Sequence, residues 1–232
     1  NQELFNRDPS TFVGTWSVTP VAITGGLRFA QLAAGFYYTC GLTPAGLAYC
    51  WGLNDVGQLG DGSRTDRPTP AAVSGSLTFA ALTTHGTAYN GTGHTCAVTP
   101  AGLAYCWGAN GDGQLGDGST TASSTPVAVG AGLTFMALSA GGAHTCGITS
   151  GGAAYCWGAN NAGQLGNGSV AASSTPVAVG GGLRFASLSA GWAQTCGLAS
   201  DGVAYCWGAN GSGQLGNGST TSSSVPVRVE GQ

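Results

Sequence analysis

Lysine does not occur in this 232-residue sequence, and its six cations are all arginines: Arg7, Arg28, Arg64, Arg67, Arg184 and Arg228. They are scattered, form no basic stripe, and leave a net charge of −3. Nucleic-acid binders neutralise phosphates with clustered Lys and Arg, so nucleic acid is not an expected partner. Charge of either sign is scarce, at 6% of residues, against about 25% in an ordinary soluble domain. Ser, Thr, Asn and Gln must therefore carry the solubility of the surface. Long apolar runs are missing too, and none approaches the roughly 18 residues of a transmembrane segment. No signal peptide is visible; the chain opens on Asn1 rather than methionine, which leaves room for a leader or longer N-terminal part already removed.

Glycine, by contrast, is the commonest residue, with 43 copies. It punctuates a nearly literal internal repeat. Tyr49-Cys50-Trp51-Gly52 returns as Tyr105-Cys106-Trp107-Gly108, Tyr155-Cys156-Trp157-Gly158 and Tyr205-Cys206-Trp207-Gly208, with six extra residues in the second unit around Thr83–Thr92. Each unit reads as four short strands: a Pro-Val strand such as Pro126–Val129, an alternating stretch such as Leu133–Leu138, a third from about His144 to Thr149 and a fourth from Ala153 to Gly158. Four-stranded units recurring about every 40–50 residues are the signature of propeller blades. The expected fold is thus all-β: a β-propeller of four-stranded blades over residues 20–232, preceded by a non-repeat arm over 1–19. The Pro-Val strand occurs five times, counting Pro20–Ile23, and the other three occur four times. That leaves one strand too many for four blades, and the surplus favours a closed four-bladed ring, sealed by one terminus, over an open arc.

Within the repeat, Ala140-Gly141, His144-Thr145, Gly152, Tyr155, Trp157-Gly158, Asn160 and Gly163-Gln164-Leu165-Gly166 recur at constant register. This pattern resembles the repeat of the regulator of chromosome condensation family, in a bacterial-looking secreted form, and versions of it run from about Pro20 to Val229. The resemblance implies a propeller, usually seven-bladed in that family, working through protein–protein contact. Some members are exchange factors for a small GTPase, and others are secreted bacterial inhibitors of β-lactamases. Four repeats and paired cysteines set this chain apart from the usual pattern.

The eight cysteines fall in four identical pairs: Cys40 with Cys50, Cys96 with Cys106, Cys146 with Cys156, and Cys196 with Cys206. If Ser150-Gly151-Gly152 is a three-residue hairpin loop, Thr149 faces Ala153 and Cys146 falls opposite Cys156. Gly152 then sits where such a loop needs a left-handed residue. Opposed strand residues are close enough for a disulfide. Zinc sites favour two to four residues between paired cysteines, and nine does not fit. Disulfides place the expected location outside the cytosol, periplasmic or secreted, which argues against a nuclear exchange factor.

Little else looks like chemistry. His94 and His144 share a register with Tyr38 and Gln194, so they read as structural positions, and His85 has no evident partner. No nucleophile elbow, zinc motif or matched carboxylate pair is visible, and no metal or cofactor is expected. Asn110, Asp112 and Asp117 faintly suggest a calcium loop, but the matching Asn160, Ala162 and Asn167 lose the charge, as turn residues would. Asn167 and Asn217 head sequons at turn positions, and Asn90 heads a third in the insertion.

Differences between otherwise equal units are where recognition is expected. Phe36 and Tyr37 in the first unit, and Trp192 in the fourth, stand before the first cysteine where other units carry glycine or alanine, and Tyr38 follows directly on the first pair. Exposed Tyr and Trp are typical binding anchors. Tyr89 lies in the insertion, and Arg64 and Arg67 replace neutral residues in the first unit. The arm holds Phe5, Phe12 and Trp16 and offers an attachment point, including to a membrane-associated complex. The expected function is a non-enzymatic extracytoplasmic protein-binding scaffold, either an accessory subunit or a secreted enzyme inhibitor. The alternative is a lectin-like or enzymatic propeller with its site at the ring mouth. Mass measurement after thiol alkylation, with and without reduction, should find all eight cysteines bridged within their own units. Four or more free thiols in freshly purified protein would refute both the pairing and the compartment.

Overall fold

A computed structural model describes residues 19–23, 25–86 and 93–231. Within each unit the chain meanders antiparallel through four adjacent strands, so each unit is one sheet. The first holds β1 (Gln31–Ala34), β2 (Tyr38–Leu42), β3 (Ala48–Gly52) and β4 (Arg67–Ala72); the second holds β5 (Ala81–His85), β6 (His94–Val98), β7 (Ala104–Gly108) and β8 (Ser123–Ala128). The third comprises β9 (Ala137–Ala140), β10 (His144–Ile148), β11 (Ala154–Gly158) and β12 (Ser173–Ala178); the fourth comprises β13 (Phe185–Ala190), β14 (Gln194–Ala199), β15 (Ala204–Gly208) and β16 (Ser223–Arg228).

The central hairpin forms as its turn chemistry dictates. Thr149 N donates to Ala153 O, Gly152 adopts φ +77°, and Cys146 pairs with Cys156 across β10 and β11. The same register sets Cys40 opposite Cys50, Cys96 opposite Cys106 and Cys196 opposite Cys206. All four pairs are disulfides, as expected: Cys40 to Cys50, Cys96 to Cys106, Cys146 to Cys156 and Cys196 to Cys206.

Two boundaries differ from the sequence expectation. The alternating Leu133–Leu138 stretch enters its strand only at Ala137, because Phe135 N donates to Gly102 O of the preceding unit. The segment is a crossing between blades, and its buried Phe135 ring packs 5.6 Å from that of Trp157. The Pro-Val strand starts earlier than its proline, at Ser123, where a bulge in the pairing brings Ser123 opposite Gly108.

Adjacent units are joined by one repeated device. The Gly-Gln-Leu-Gly turn of each unit lies under the tryptophan of the next: Gly60 under Trp107, Gly116 under Trp157, Gly166 under Trp207. A Cβ on any of these glycines would sit 2.6–2.7 Å from the indole nitrogen. Thr95, Thr145 and Thr195 each donate their hydroxyl to the main-chain oxygen of Gln58, Gln114 and Gln164, at 2.9–3.0 Å. Trp157 and Trp207 donate to the same Gln114 and Gln164 oxygens at 2.9 Å. Further out, Gly62, Gly118 and Gly168 donate to Ser124, Ser174 and Ser224.

Three such joints link the four units, and no fourth joins the last unit to the first among the described residues. Ring closure, expected from the strand count, is not seen. Pro20–Ile23 takes no strand conformation, and Val21 and Ile23 are exposed. With no partner sheet beside it, that segment has no ladder to complete, and the units stand as an arc.

His94 and His144 sit inside these joints, with Nε2 2.9 Å from Thr145 Oγ1 and Thr195 Oγ1. Since each threonine gives its proton to a glutamine carbonyl, each histidine donates through Nε2. Burial, aided by His94 and His85, pushes the His144 pKa down to about 3 from 6.5. Above pH 6.5 the ring is neutral in both folded and unfolded chains. As pH falls, the unfolded chain takes up a proton that the folded chain refuses, so stability drops by up to about 1.4 kcal/mol per pH unit until the folded pKa is reached. His144→Gln, which installs the residue found at Gln194, should remove this part of the acid sensitivity. In urea titrations at pH 7 and pH 4.5 the variant should lose on the order of 2 kcal/mol less than the parent; equal losses would show that His144 is not the group responsible.

Candidate functional site

Because strands alternate in direction, the loop between the first and second strands of each unit leaves the sheet at the same end as the long loop between the third and fourth. All of these loops therefore share one face. The long loops are wired internally by one asparagine each. Asn110 Nδ2 donates to Asp117 Oδ1, Ser119 O and Thr121 O, while its Oδ1 accepts from Leu115 N at 2.9 Å. Asn54, Asn160 and Asn210 repeat the arrangement. The side chain that hinted at a calcium loop is thus a turn organiser, fully committed to its own loop. The face is a rigid platform despite being built from loops.

In the first unit Arg67 joins this wiring, its Nε donating to Asp61 Oδ2 at 2.7 Å. Burial alone would raise the Asp61 carboxyl, but hydrogen bonds from Ser63 and Arg67 outweigh it and hold the pKa below the ordinary value. Arg67 is thereby largely occupied by structure. Arg64, on the same loop, is exposed.

A groove of about 680 Å³ runs along this face across the second and third units. Asn110, Asp112, Ala143, Asn160 and Val170 line it, and Trp192 of the fourth unit overhangs it. Trp192 is 67% exposed. Its loop is pinned rather than free, since Gly142 N donates to Gly191 O and Trp192 O at 3.0 and 3.2 Å. A Cβ on Gly142 would meet the indole Cδ1 at 2.6 Å, so glycine is required there for the ring to lie where it does.

Phe36 and Tyr37 form a second aromatic feature on the same face, with ring centroids 4.2 Å apart. Tyr37 has φ +62°, an uncommon conformation for a bulky residue, and its carbonyl accepts from Leu53 N at 2.9 Å. Both rings are substantially exposed, but neither lines the groove. Tyr38 needs correction as a surface anchor. It is buried at 3% exposure, and its hydroxyl donates to His94 O at 2.6 Å, placing it in the first joint. Desolvation raises its pKa above the usual phenol value, and hydrogen bonding with the Thr95 side chain and the His85 main chain only partly offsets this. Tyr89 and the Asn90 sequon lie outside the described residues. His85 ends β5, where its Nδ1 accepts from Gly86 N at 2.8 Å. Val170, 64% exposed on the groove rim, escaped the sequence reading. It occupies the register of Arg64, Thr120 and Thr220, so the same comparison between units that singled out Arg64 would have found it.

Sequence profiles described as Regulator of chromosome condensation (RCC1) repeat match residues 45–98, 101–148, 151–198 and 201–232. Human E3 ubiquitin-protein ligase HERC2 is 35% identical over 108 residues, which are 46% of this chain and 2% of HERC2. Yeast RCC1 (Prp20), solved bound to Kap60, superposes with a TM-score of 0.77 at 21% identity, over 91% of this chain and 51% of that one. The ectodomain of the Physcomitrella patens receptor kinase CR4 is 29% identical, with a TM-score of 0.51, over 78% of this chain and 41% of that one. The chain thus spans about half the length of the yeast structure and a small part of HERC2. With profile matches over most of its length, and with its Trp-Gly and Gly-Gln-Leu-Gly elements forming the joints between blades, the chain belongs to the RCC1 repeat family.

Proposed function

We propose that this chain is a non-enzymatic, extracytoplasmic protein-binding scaffold that engages its partner through the loop face carrying Trp192. The carrying observation is the exposed indole, held over a groove by the main-chain hydrogen bonds from Gly142 to its loop. Large, rigid aromatics flanked by neutral polar groups are what protein interfaces use as anchors. Asp112 is the one carboxylate lining the groove among the described residues, and paired acids or a nucleophile with its base would be needed for hydrolytic chemistry. Two observations support an extracytoplasmic setting: four disulfides, which persist in oxidising compartments, and likeness to a protein described as a receptor ectodomain. The yeast relative is described in complex with another protein, Kap60. The partner here is a protein outside the cytosol, with this chain serving as an accessory subunit or as an enzyme inhibitor. Phe36, Tyr37 and Arg64 widen the contact across the first unit, and the arm at 1–19, with Phe5, Phe12 and Trp16, supplies a further attachment.

A partner isolated from the native extracytoplasmic fraction should bind Trp192→Ala more weakly by about 2 kcal/mol, or some thirtyfold, while the thermal midpoint of the variant stays unchanged. Unaltered affinity would remove Trp192 from the interface. A matching loss of thermal stability would instead make it a packing residue.

A further inference from the structure

In the first and third units both ends of the side-chain amide in the Gly-Gln-Leu-Gly turn are in use. Its Oε1 accepts from a main-chain N–H two residues back: Val56 for Gln58 and Ala162 for Gln164, each at 3.0 Å. Its Nε2 then points the other way and donates to a side chain, Gln58 to Asp55 Oδ1 at 3.0 Å and Gln164 to Asn161 Oδ1 at 3.4 Å. In the second unit Gln114 Oε1 likewise accepts from Asp112 N at 3.0 Å, which fixes the orientation of the amide. The register of Asp55 and Asn161, however, is held by Gly111, which has no side chain to accept. Gln114 Nε2 therefore finds no acceptor among the described residues, although Gln114 is only 1% exposed. Gln214 also faces a glycine, Gly211, but it is exposed, and solvent can serve its amide.

The unmatched donor borders the groove, which Gln114 lines together with Gly111, Asp112 and Trp192. A Cβ on Gly111 would meet no described atom within 4 Å, and φ there is not positive, so nothing in this unit fills the place that Asp55 and Asn161 take in theirs. A donor this deeply buried bears a desolvation cost that an arriving oxygen would offset. Asp112 stands beside it. The carboxylates of Asp61 and Asp117 are taken up by their own loops, whereas that of Asp112 is exposed and accepts from no described residue.

These two groups define the chemistry of an occupant. Gln114 Nε2 asks for an oxygen, while Asp112 asks for a donor and repels a second carboxylate. A primary carboxamide offers an acceptor oxygen and an NH2 donor without charge. The chain already places such a group at this register once, in Asn161 against Gln164. On the reading that the Trp192 groove holds a protein partner, we propose that the partner seats the carboxamide of an Asn or Gln side chain over Gly111. Its oxygen accepts from Gln114 Nε2 and its NH2 donates to the Asp112 carboxylate, while Trp192 packs against the same segment.

A random-peptide library displayed on phage, selected on the disulfide-intact full chain, provides the probe. The selected peptides should carry Asn or Gln at one fixed position. They should bind Gly111→Ala as they bind the parent, because a methyl group leaves Gln114 Nε2 available. Gly111→Asn should weaken them about tenfold or more, because its side chain takes the donor as Asn161 does in the third unit. Gly111→Asp, which copies Asp55 of the first unit, is the second blocking variant should Gly111→Asn fail to fold. Peptides that need Trp192 but bind the blocking variant as tightly as the parent would overturn the carboxamide subsite and leave the Trp192 anchor standing. Enrichment of Asp or Glu at the fixed position, or a library that yields no binder, would overturn the subsite as well. Peptides indifferent to Trp192→Ala would remove the groove reading itself.

Discussion

One main-chain carbonyl per unit holds the molecule together. Gln114 O and Gln164 O each receive a threonine hydroxyl and a tryptophan N–H from the next unit, inside a contact that buries both donors. Matched buried donors and acceptors fix the arrangement, because a slip would leave them unpaired; in the first joint Gln58 O receives Thr95 alone, and Trp107 Nε1 has no hydrogen-bond partner among the described residues. The fixed glycines follow from this point of contact. Gly116 and Gly166 must lack a Cβ for the indole to reach the carbonyl behind them. A sheet in such a protein is a unit of construction, but the joint sets the relation between sheets.

The disulfides act on a different level. Each closes a short hairpin within one sheet, where the loop removed from the unfolded chain is small and the chain-entropy contribution is at most roughly 3 kcal/mol. They do not cross a joint. Their effect is to keep β2 with β3, and the equivalent hairpins, in register, so that the threonine before the cysteine and the tryptophan after it present their donors together. Thr145 and Trp157 are themselves register partners, one residue from Cys146 and Cys156. Thr95 with Trp107 beside Cys106, and Thr195 with Trp207 beside Cys206, repeat the pairing. The covalent staple and the inter-unit bonds are thus coupled through one pair of strands.

The repeat relaxes on one face. The asparagine-centred loops repeat faithfully and make the platform rigid, while the residues between them vary. Trp192, Val170 and the Phe36–Tyr37 pair are the departures that reach solvent on that platform. His94, His144 and Tyr38 are departures of another kind, since they face inward and trade one hydrogen-bonding side chain for another within the joints.

The sequence by itself determined the four units, the β-hairpin register and the disulfide pairing. These depend on contacts within about a dozen residues, where a glycine at a turn and the alternation of a strand leave one solution. It also singled out the aromatic positions, because near-identical repeats expose every difference. What only the tertiary structure decided was which of those positions faces water. Tyr38 and Tyr37 are adjacent in sequence, yet one donates to His94 O in a joint and the other stands on the surface, and the choice rests on a neighbour more than 50 residues away. The groove beside Trp192 is likewise assembled from all four units, and no single unit contains it. Strand counting favoured a closed ring, but closure depends on whether a fourth joint finds both of its halves, and among the described residues three joints form.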